Sequence, residues 1–205
     1  MLGTTAAIFL LGASPSQVSA LACHPFDQPS FAKMASAIEP AERSDMVKTW
    51  SAWSQRASGD VVPQGAHFSF RVQRDRSPSD PTYELRAWRI GNTWRMRART
   101  GQANRKLRVR WAGWRDIQID QARARKLNEL VSDNCLWTAP RYVSANVPGN
   151  SAFTEANLLI DVRTERRSWG GMQISAAAGR PAELASLTLN WAFNLPSLAP
   201  GWPDR

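Results

Sequence analysis

The chain has 205 residues and a formal charge of +9 at pH 7, from 26 Lys and Arg against 17 Asp and Glu. Twenty-two of the basic residues are Arg, and 43% of all residues are hydrophobic, which argues against a wholly disordered chain and indicates one domain with a packed core. Two Cys and two His leave almost nothing for a zinc cage or a His-based active site.

The first 22 residues are typical of a secretory signal peptide. They carry no charged residue, and their apolar run at residues 5–12 is shorter than the ~20 residues needed to span a membrane. Ala20-Leu21-Ala22 supplies a small-x-small cleavage site, although the usual positive residues before the apolar run are missing. A buried N-terminal helix is the alternative. We expect a periplasmic or secreted protein with one domain over residues 23–205.

Cleavage after Ala22 would leave Cys23 at the N-terminus, which has two interpretations. An oxidising compartment permits a disulfide from Cys23 to Cys135, the only other cysteine. Such a bridge closes a loop of roughly 110 residues and would stabilise the fold by about 4 to 5 kcal/mol in the chain-entropy model. Lipidation of Cys23 is the other interpretation, but Ala20 and Leu21 stand in the wrong order for a lipobox. We predict the disulfide, and either interpretation places the protein in the cell envelope.

The remaining chain alternates between helical and strand periodicity. After a short helical pattern at residues 31–38, a second helix is predicted to begin at Pro40, with Met46, Val47, Trp50 and Trp53 on one apolar stripe. A later helix is predicted to follow the N-cap residue Asp120 and to continue to Cys135, and another to open at Gly179-Arg180-Pro181. Strands are predicted near residues 66–72, 83–90, 93–99 and 106–111, and again near 157–163 and 169–175. The predicted fold class is α+β, a mostly antiparallel sheet of a four-stranded meander plus about two further strands, with helices packed on one face.

The two-residue loop Gly91-Asn92 fixes the register of the central hairpin, so that Ile90 opposes Thr93. Opposed residues share a face of the sheet. One face then carries apolar residues and belongs against the core: Tyr83, Leu85, Ala87, Trp94, Met96 and Ala98. The other face carries Glu84, Arg86, Trp88, Arg95, Arg97 and Arg99.

Nearly all the excess positive charge falls on these strands. Residues 71–115 contain twelve Arg and one Lys against three acidic residues, a formal charge of +10, so the rest of the chain is close to neutral. Opposed like charges such as Arg86 and Arg97 cost up to about 1 kcal/mol. In the flanking strands Lys106, Arg108 and Arg110 alternate with Leu107, Val109 and Trp111, which are predicted to face the core. The predicted binding surface is Arg71, Arg86, Trp88, Arg95, Arg97, Arg99, Arg108 and Arg110.

Three interpretations of this basic face remain open. It is a solvated face whose Arg stems shield apolar surface, a surface whose guanidinium groups bind carboxylates or phosphates, or a docking surface for an acidic protein. Nucleic acid is the usual partner of basic and aromatic sheets, but the export signal argues against it.

No catalytic motif accompanies this face. The GxSxG, P-loop, GxGxxG, HExxH and CxxC patterns do not occur in the sequence. His67 is better explained as an ordinary strand residue. The carboxylate pairs Asp116 with Asp120 and Asp161 with Glu165 are better explained as caps and turn charges. Gly170-Gly171 indicates a bulge or close approach within a strand rather than a phosphate loop.

The sequence therefore predicts a protein that works by binding. We expect a non-catalytic protein without metal or cofactor that binds an anionic envelope polymer, a lipid head group or an acidic protein. The alternative function is that of an immunity- or inhibitor-type protein that blocks a periplasmic toxin or hydrolase.

Overall fold

The computed structural model describes residues 38–56, 63, 65–75, 81–103, 109–143, 157–174 and 179–195. In chain order these form helix α1 (Pro40–Arg56), strands β1 (Phe68–Asp75), β2 (Thr82–Ile90), β3 (Thr93–Ala103), β4 (Val109–Trp111) and β5 (Arg115–Ile117), helices α2 (Gln121–Ser132) and α3 (Asn134–Thr138), strands β6 (Asn157–Thr164) and β7 (Ser168–Ile174), and helix α4 (Arg180–Phe193). None of the helices within these ranges is long and apolar enough to cross a membrane. The predicted signal peptide, Cys23, Lys106, Arg108 and nearly all of the predicted helix at residues 31–38 lie outside the described residues.

The strands form one antiparallel sheet in the order β4-β3-β2-β1-β6-β7, and β5 also pairs with β3. The predicted α+β class is confirmed, as are the four-stranded meander and the two later strands. The short strand β5 is an addition that the sequence pattern did not indicate. It pairs with Met96–Ala98, beside the Gly101–Ala103 segment that pairs with β4, so both short strands lie along the same edge of β3.

The β2–β3 hairpin has the predicted register. Ile90 opposes Thr93, and the pairing continues without a break to Thr82 opposite Gly101. Gly91 adopts φ +56° in the two-residue loop, a conformation that glycine adopts without steric cost. The alternation of β2 and β3 therefore separates one apolar face from one charged face.

The hydrophobic core lies between the apolar face and three helices. Val72, Leu85, Ala98 and Ile160 form one row across β1, β2, β3 and β6, and all four are completely buried. Leucines of α2, α3 and α4 complete the core: Leu127, Leu130, Leu136, Leu184 and Leu189. Each fully buried leucine side chain contributes about 1.5–3 kcal/mol relative to an exposed one, so this contact holds the three helices on the sheet.

Helix α2 begins as predicted but ends earlier. The Asp120 carboxylate accepts a hydrogen bond from the Arg123 backbone N–H at 2.8 Å and so caps the helix. The helical pattern predicted to continue to Cys135 is divided into α2 and α3 by Asp133, whose backbone is extended. The Asp133 side chain accepts the Cys135 backbone N–H at 2.9 Å and the Arg180 Nε at 2.6 Å. These bonds make the break between the helices a defined corner.

Helix α1 packs on the opposite, charged face. The Trp50 indole N–H donates to the Ile160 carbonyl oxygen at 3.0 Å, and its ring occupies the space above Gly170. Asp161 opposes both Gly170 and Arg71, so these residues share the charged face. Three of the helices therefore pack on the apolar face as predicted, whereas α1 covers the β6–β7 part of the charged face.

The close approach predicted at Gly170-Gly171 is confirmed. A Cβ on Gly170 would lie 2.1 Å from the Trp50 ring, and a Cβ on Gly171 would lie 1.9 Å from the Arg141 carbonyl oxygen. The absent side chain of Gly170 lets the Trp50 ring of α1 pack on β7. That of Gly171 makes room for the Arg141 carbonyl, which accepts a hydrogen bond from the Met172 backbone N–H at 2.9 Å along the edge of the strand.

Candidate functional site

The charged face of the sheet, here called the arginine face, is organised in rows that cross the strands. Its central row runs from β5 to β6 through Asp116, Arg97, Arg86, Arg71 and Asp161. Three guanidinium-bearing residues are thus directly adjacent, as predicted for Arg86 and Arg97, and a carboxylate stands at each end. The flanking acids compensate part of the like-charge repulsion that the sequence left unexplained.

A buried carboxylate neutralises the interior of the arginine face. Glu84 is 3% exposed, accepts a hydrogen bond from Arg86 Nη2 at 3.0 Å and another from Arg99 Nε at 2.7 Å. The Arg86 and Arg99 side chains are themselves only 15% and 19% exposed. Charge-assisted hydrogen bonds of this kind hold both ions in place. The pairing of Glu84 was not predicted. It could have been, because the hairpin register places Glu84 opposite Arg99 and on the same face as Arg86, two residues away.

Tryptophan rings cover the same arginines. The Arg86 guanidinium lies 4.8 Å from the Trp114 ring centroid, and that of Arg99 lies 4.5 Å from Trp111 and 4.3 Å from Trp114. A cation over an indole face is attracted by the ring quadrupole. Arg86 and Arg99, both predicted to bind a ligand, are therefore occupied by contacts within the protein.

The phase predicted for β4 is wrong, and with it the place of Arg110. Trp111 opposes Gly101 and lies on the arginine face, while Arg110 opposes Gln102 and lies on the other face. The reason is steric, because a Cβ on Gly101 would lie 2.3 Å from Val109 and 2.8 Å from Trp111. The bare backbone of Gly101 accepts these two side chains above it. Arg110 instead lines a shallow cleft of about 290 Å³ with Tyr83, Thr100 and Gln102.

Arg71 is covered by helix α1. It is 9% exposed, and its guanidinium lies 3.9 Å from the Trp53 ring centroid. Burial lowers the pKa of Arg71 to about 10, against the opposing effect of Asp161, so the group stays charged at neutral pH. Its Nε and Nη2 atoms are buried without a hydrogen-bond partner in the described part of the chain. Arg71 belongs to the predicted face but is inaccessible to a large ligand.

The accessible residues lie towards the hairpin end of the face. Arg95 and Arg97 are exposed, and Arg97 donates to Asp116 at 2.8 Å. Arg95 directly opposes the half-buried Trp88. Within the described ranges Arg95 has no ion pair or hydrogen bond, and neither a cation nor another ring stacks on Trp88. Arg95 and Trp88 therefore form an arginine–tryptophan pair with no partner among the described residues.

The same row continues across the sheet beyond Trp88. Ser69 of β1 opposes Trp88, Arg163 of β6 opposes Ser69, and Ser168 of β7 opposes Arg163. Arg163 is exposed and its Nε contacts Asp161 at 2.9 Å. The residues Arg95, Trp88, Ser69, Arg163 and Ser168 are called the Trp88 row below. Arg163 was missed because no turn or loop pattern in the sequence sets the register of β6 against β1.

The candidate acid and base groups have structural partners. His67 Nδ1 lies 3.4 Å from Glu165 Oε1, and both side chains are exposed. Asp120 is a helix cap, while Asp116 and Asp161 pair with Arg97 and Arg163. No group of three or more potential metal-ligating side chains occurs in the part of the chain that the structure describes.

Cys135, on α3, is disulfide-bonded. Cys23 is the other cysteine of the sequence and lies outside the described residues, so the predicted pairing of the two stays a prediction.

Comparison with protein-family models, with curated proteins and with solved structures finds no match to this chain.

Proposed function

We propose that this protein is an exported, non-catalytic binding protein whose arginine face holds an anionic component of the cell envelope. The proposal rests on the difference between the paired and the unpaired residues of the arginine face. Glu84, Asp116 and Asp161 pair with most of its arginines, while Arg95 and Trp88 lie opposed, accessible and without a partner among the described residues.

The chemistry of this pair favours an oxyanion. A guanidinium presents N–H groups in a planar fork that matches a carboxylate or phosphate, and it is less strongly hydrated than an ammonium group. Arg95 can therefore exchange water for an anionic group at low cost. Trp88 adds a flat apolar surface beside that fork, and Trp and Arg are the residues that dominate binding interfaces.

The neutralised arginines support the site without contacting the ligand. Arg86 and Arg99 are fixed by Glu84 and by tryptophan rings, so the strands that carry Trp88 and Arg95 are held in one arrangement. A site on rigid strands loses less conformational entropy on binding than a site on a loop. Arg95 and Arg97 are both exposed at this end of the face, so their charges also attract anions towards it.

The proposal that the partner belongs to the cell envelope depends on the leader pattern of residues 1–22. In the periplasm or outside the cell the available anions are acidic polymers, lipid head groups and acidic proteins. An inhibitor of a periplasmic toxin or hydrolase, acting through the same face, remains the alternative prediction.

The test is a binding comparison with three anionic probes: polygalacturonate, phosphatidylglycerol vesicles and polyglutamate. We expect the exported protein to bind at least one of them, more weakly at high ionic strength because salt screens exposed charges. Binding should weaken in Arg95→Ala and stay unchanged in Arg125→Ala, which removes an equally exposed arginine from α2. Equal binding by the two variants, or no binding to any probe, would contradict the proposal.

A further inference from the structure

We propose that the ligand of the Trp88 row is an acidic glycan, with a sugar ring stacked on Trp88 and its carboxylate bound by Arg95. This inference rests on the proposed function and narrows it from an anion in general to one chemical class.

First, Trp88 differs from three other tryptophans of the arginine face. Trp53, Trp111 and Trp114 each have an arginine over the ring, at 3.9 to 4.8 Å from the centroid. No described cation or ring lies over Trp88, although Arg95 opposes it directly. An indole face is electron-rich, and the C–H groups on one face of a sugar ring are weakly positive and complement it.

The second argument is the position of Arg95 relative to this ring. Residues directly opposed across an antiparallel pair have Cβ atoms about 4.5–5.5 Å apart, and Trp88 and Arg95 are opposed in this way. A carboxylate attached to the ring that stacks on Trp88 is therefore within reach of the Arg95 guanidinium. One acidic sugar unit satisfies both residues, whereas a lipid phosphate has no ring face to place on Trp88.

The third argument is the length of the row. Arg163 lies three inter-strand steps from Arg95, from β3 through β2 and β1 to β6, which is roughly 14 Å. Ser69 lies between, and its hydroxyl can donate to or accept from a sugar hydroxyl. Arg163 also pairs with Asp161, so Arg95, Trp88 and Ser69 are the residues of the row available to a ligand. A cation, an aromatic ring and a hydroxyl on three neighbouring strands suit an extended chain of rings that carry carboxylates and hydroxyls.

The experiment measures the affinity of the full exported protein for polygalacturonate by calorimetry. Dextran is the uncharged control, and polyglutamate supplies carboxylates without sugar rings. We expect polygalacturonate to bind more tightly than polyglutamate and dextran not to bind. Trp88→Ala should weaken polygalacturonate binding about tenfold, the effect of losing an aromatic anchor, and Trp88→Phe should retain part of the affinity. Thermal unfolding checks that each variant is folded.

The outcomes separate this inference from the proposed function. Equal affinity for polygalacturonate and polyglutamate, or no effect of either Trp88 substitution, would overturn the glycan inference while Arg95-dependent binding of anions still supported the proposed function. Binding only to phosphatidylglycerol vesicles would have the same consequence. Failure to bind any anionic probe would overturn both.

Discussion

Glu84 determines whether Arg86 and Arg99 are available to bind an external ligand. It is almost completely buried and contacts both Arg86 and Arg99. Removing a carboxylate from water costs several kcal/mol, which close and well-oriented ion pairs offset. The same contacts leave Arg86 and Arg99 with little capacity for an external ligand.

Replacing Glu84 by Gln should therefore strongly destabilise the fold. The substitution keeps the shape of the side chain but removes the negative charge that pairs with the largely buried guanidinium groups of Arg86 and Arg99. Loss of one partner from a buried ion pair typically costs about 3–5 kcal/mol, measured as the free energy of unfolding in urea.

The matched control is Asp116→Asn. Asp116 also pairs with an arginine of the central row, but its side chain is 79% exposed, and exposed pairs contribute at most about 1 kcal/mol. If the two substitutions cost the same, Glu84 is not the internal counter-ion of this face.

At the scale of residues, the sequence predicted which side chains share a face but not which of them are free. The two-residue loop fixed the hairpin register, and alternation then placed Arg86, Trp88, Arg95, Arg97 and Arg99 together. The arginines with partners could not be told from Arg95, because Trp111 and Trp114 come from a segment whose position depends on tertiary packing.

At the scale of elements, helix α1 and strand β4 show what hydrophobic periodicity can predict and what it cannot. The apolar stripe of α1 predicted that one side of the helix is buried, and its Met46 and Trp53 are buried while Val47 is exposed. An apolar stripe does not predict on which face of the sheet the helix will pack. Trp50 packs on the charged face because Gly170 has no side chain there. The two residues are 120 positions apart in the sequence, so local periodicity cannot predict this contact.

In β4, three residues are too few for alternation to predict which side chains face the core. The absence of a side chain at Gly101 instead determines that Val109 and Trp111 lie on the arginine face.

The substitution Gly170→Ala should loosen α1 from the sheet. The new Cβ would lie 2.1 Å from the Trp50 ring, so the ring must move and the helix with it. Overpacking of this kind costs about 1–3 kcal/mol. We expect a lower free energy of unfolding together with faster amide hydrogen exchange in residues 40–56.

Gly113→Ala is the control for this substitution, since a Cβ on Gly113 meets no atom within 4 Å. It should leave both the free energy of unfolding and the exchange of α1 nearly unchanged. Equal behaviour of the two variants would show that Trp50 is not held at Gly170.

At the scale of the whole molecule, charge and covalent linkage are the features that the sequence predicted most directly. The strands from β1 to β5 are strongly basic, as the count over residues 71–115 indicated, since they carry nine arginines against Asp75, Glu84 and Asp116. The other four basic residues of that count lie outside the described residues. The α+β class followed from alternating periodicities, because the longer elements had a clear period of two or 3.6. The periodicities did not predict which helices pack on which face of the sheet, since that depends on the shape complementarity between each helix and each face.

The predicted Cys23–Cys135 disulfide would link the segment around Cys23 to α3. Peptide mapping without reductant should recover one cross-linked peptide that contains both cysteines. Reduction should lower the free energy of unfolding by about 4 to 5 kcal/mol in the chain-entropy model. A diacylglycerol on Cys23 in the mass spectrum of the exported protein would contradict the pairing.

We propose that Arg95 and Trp88, rather than the neutralised arginines, form the binding end of the arginine face. A nuclear magnetic resonance titration of the ¹⁵N-labelled protein with oligogalacturonate tests this proposal residue by residue. We expect the signals of the Trp88 indole N–H and the Arg95 backbone amide to shift progressively, while the indole N–H signals of Trp50 and Trp94, which donate to the Ile160 carbonyl and to Asn128, stay in place. Shifts confined to other residues, or none at saturating ligand, would contradict it.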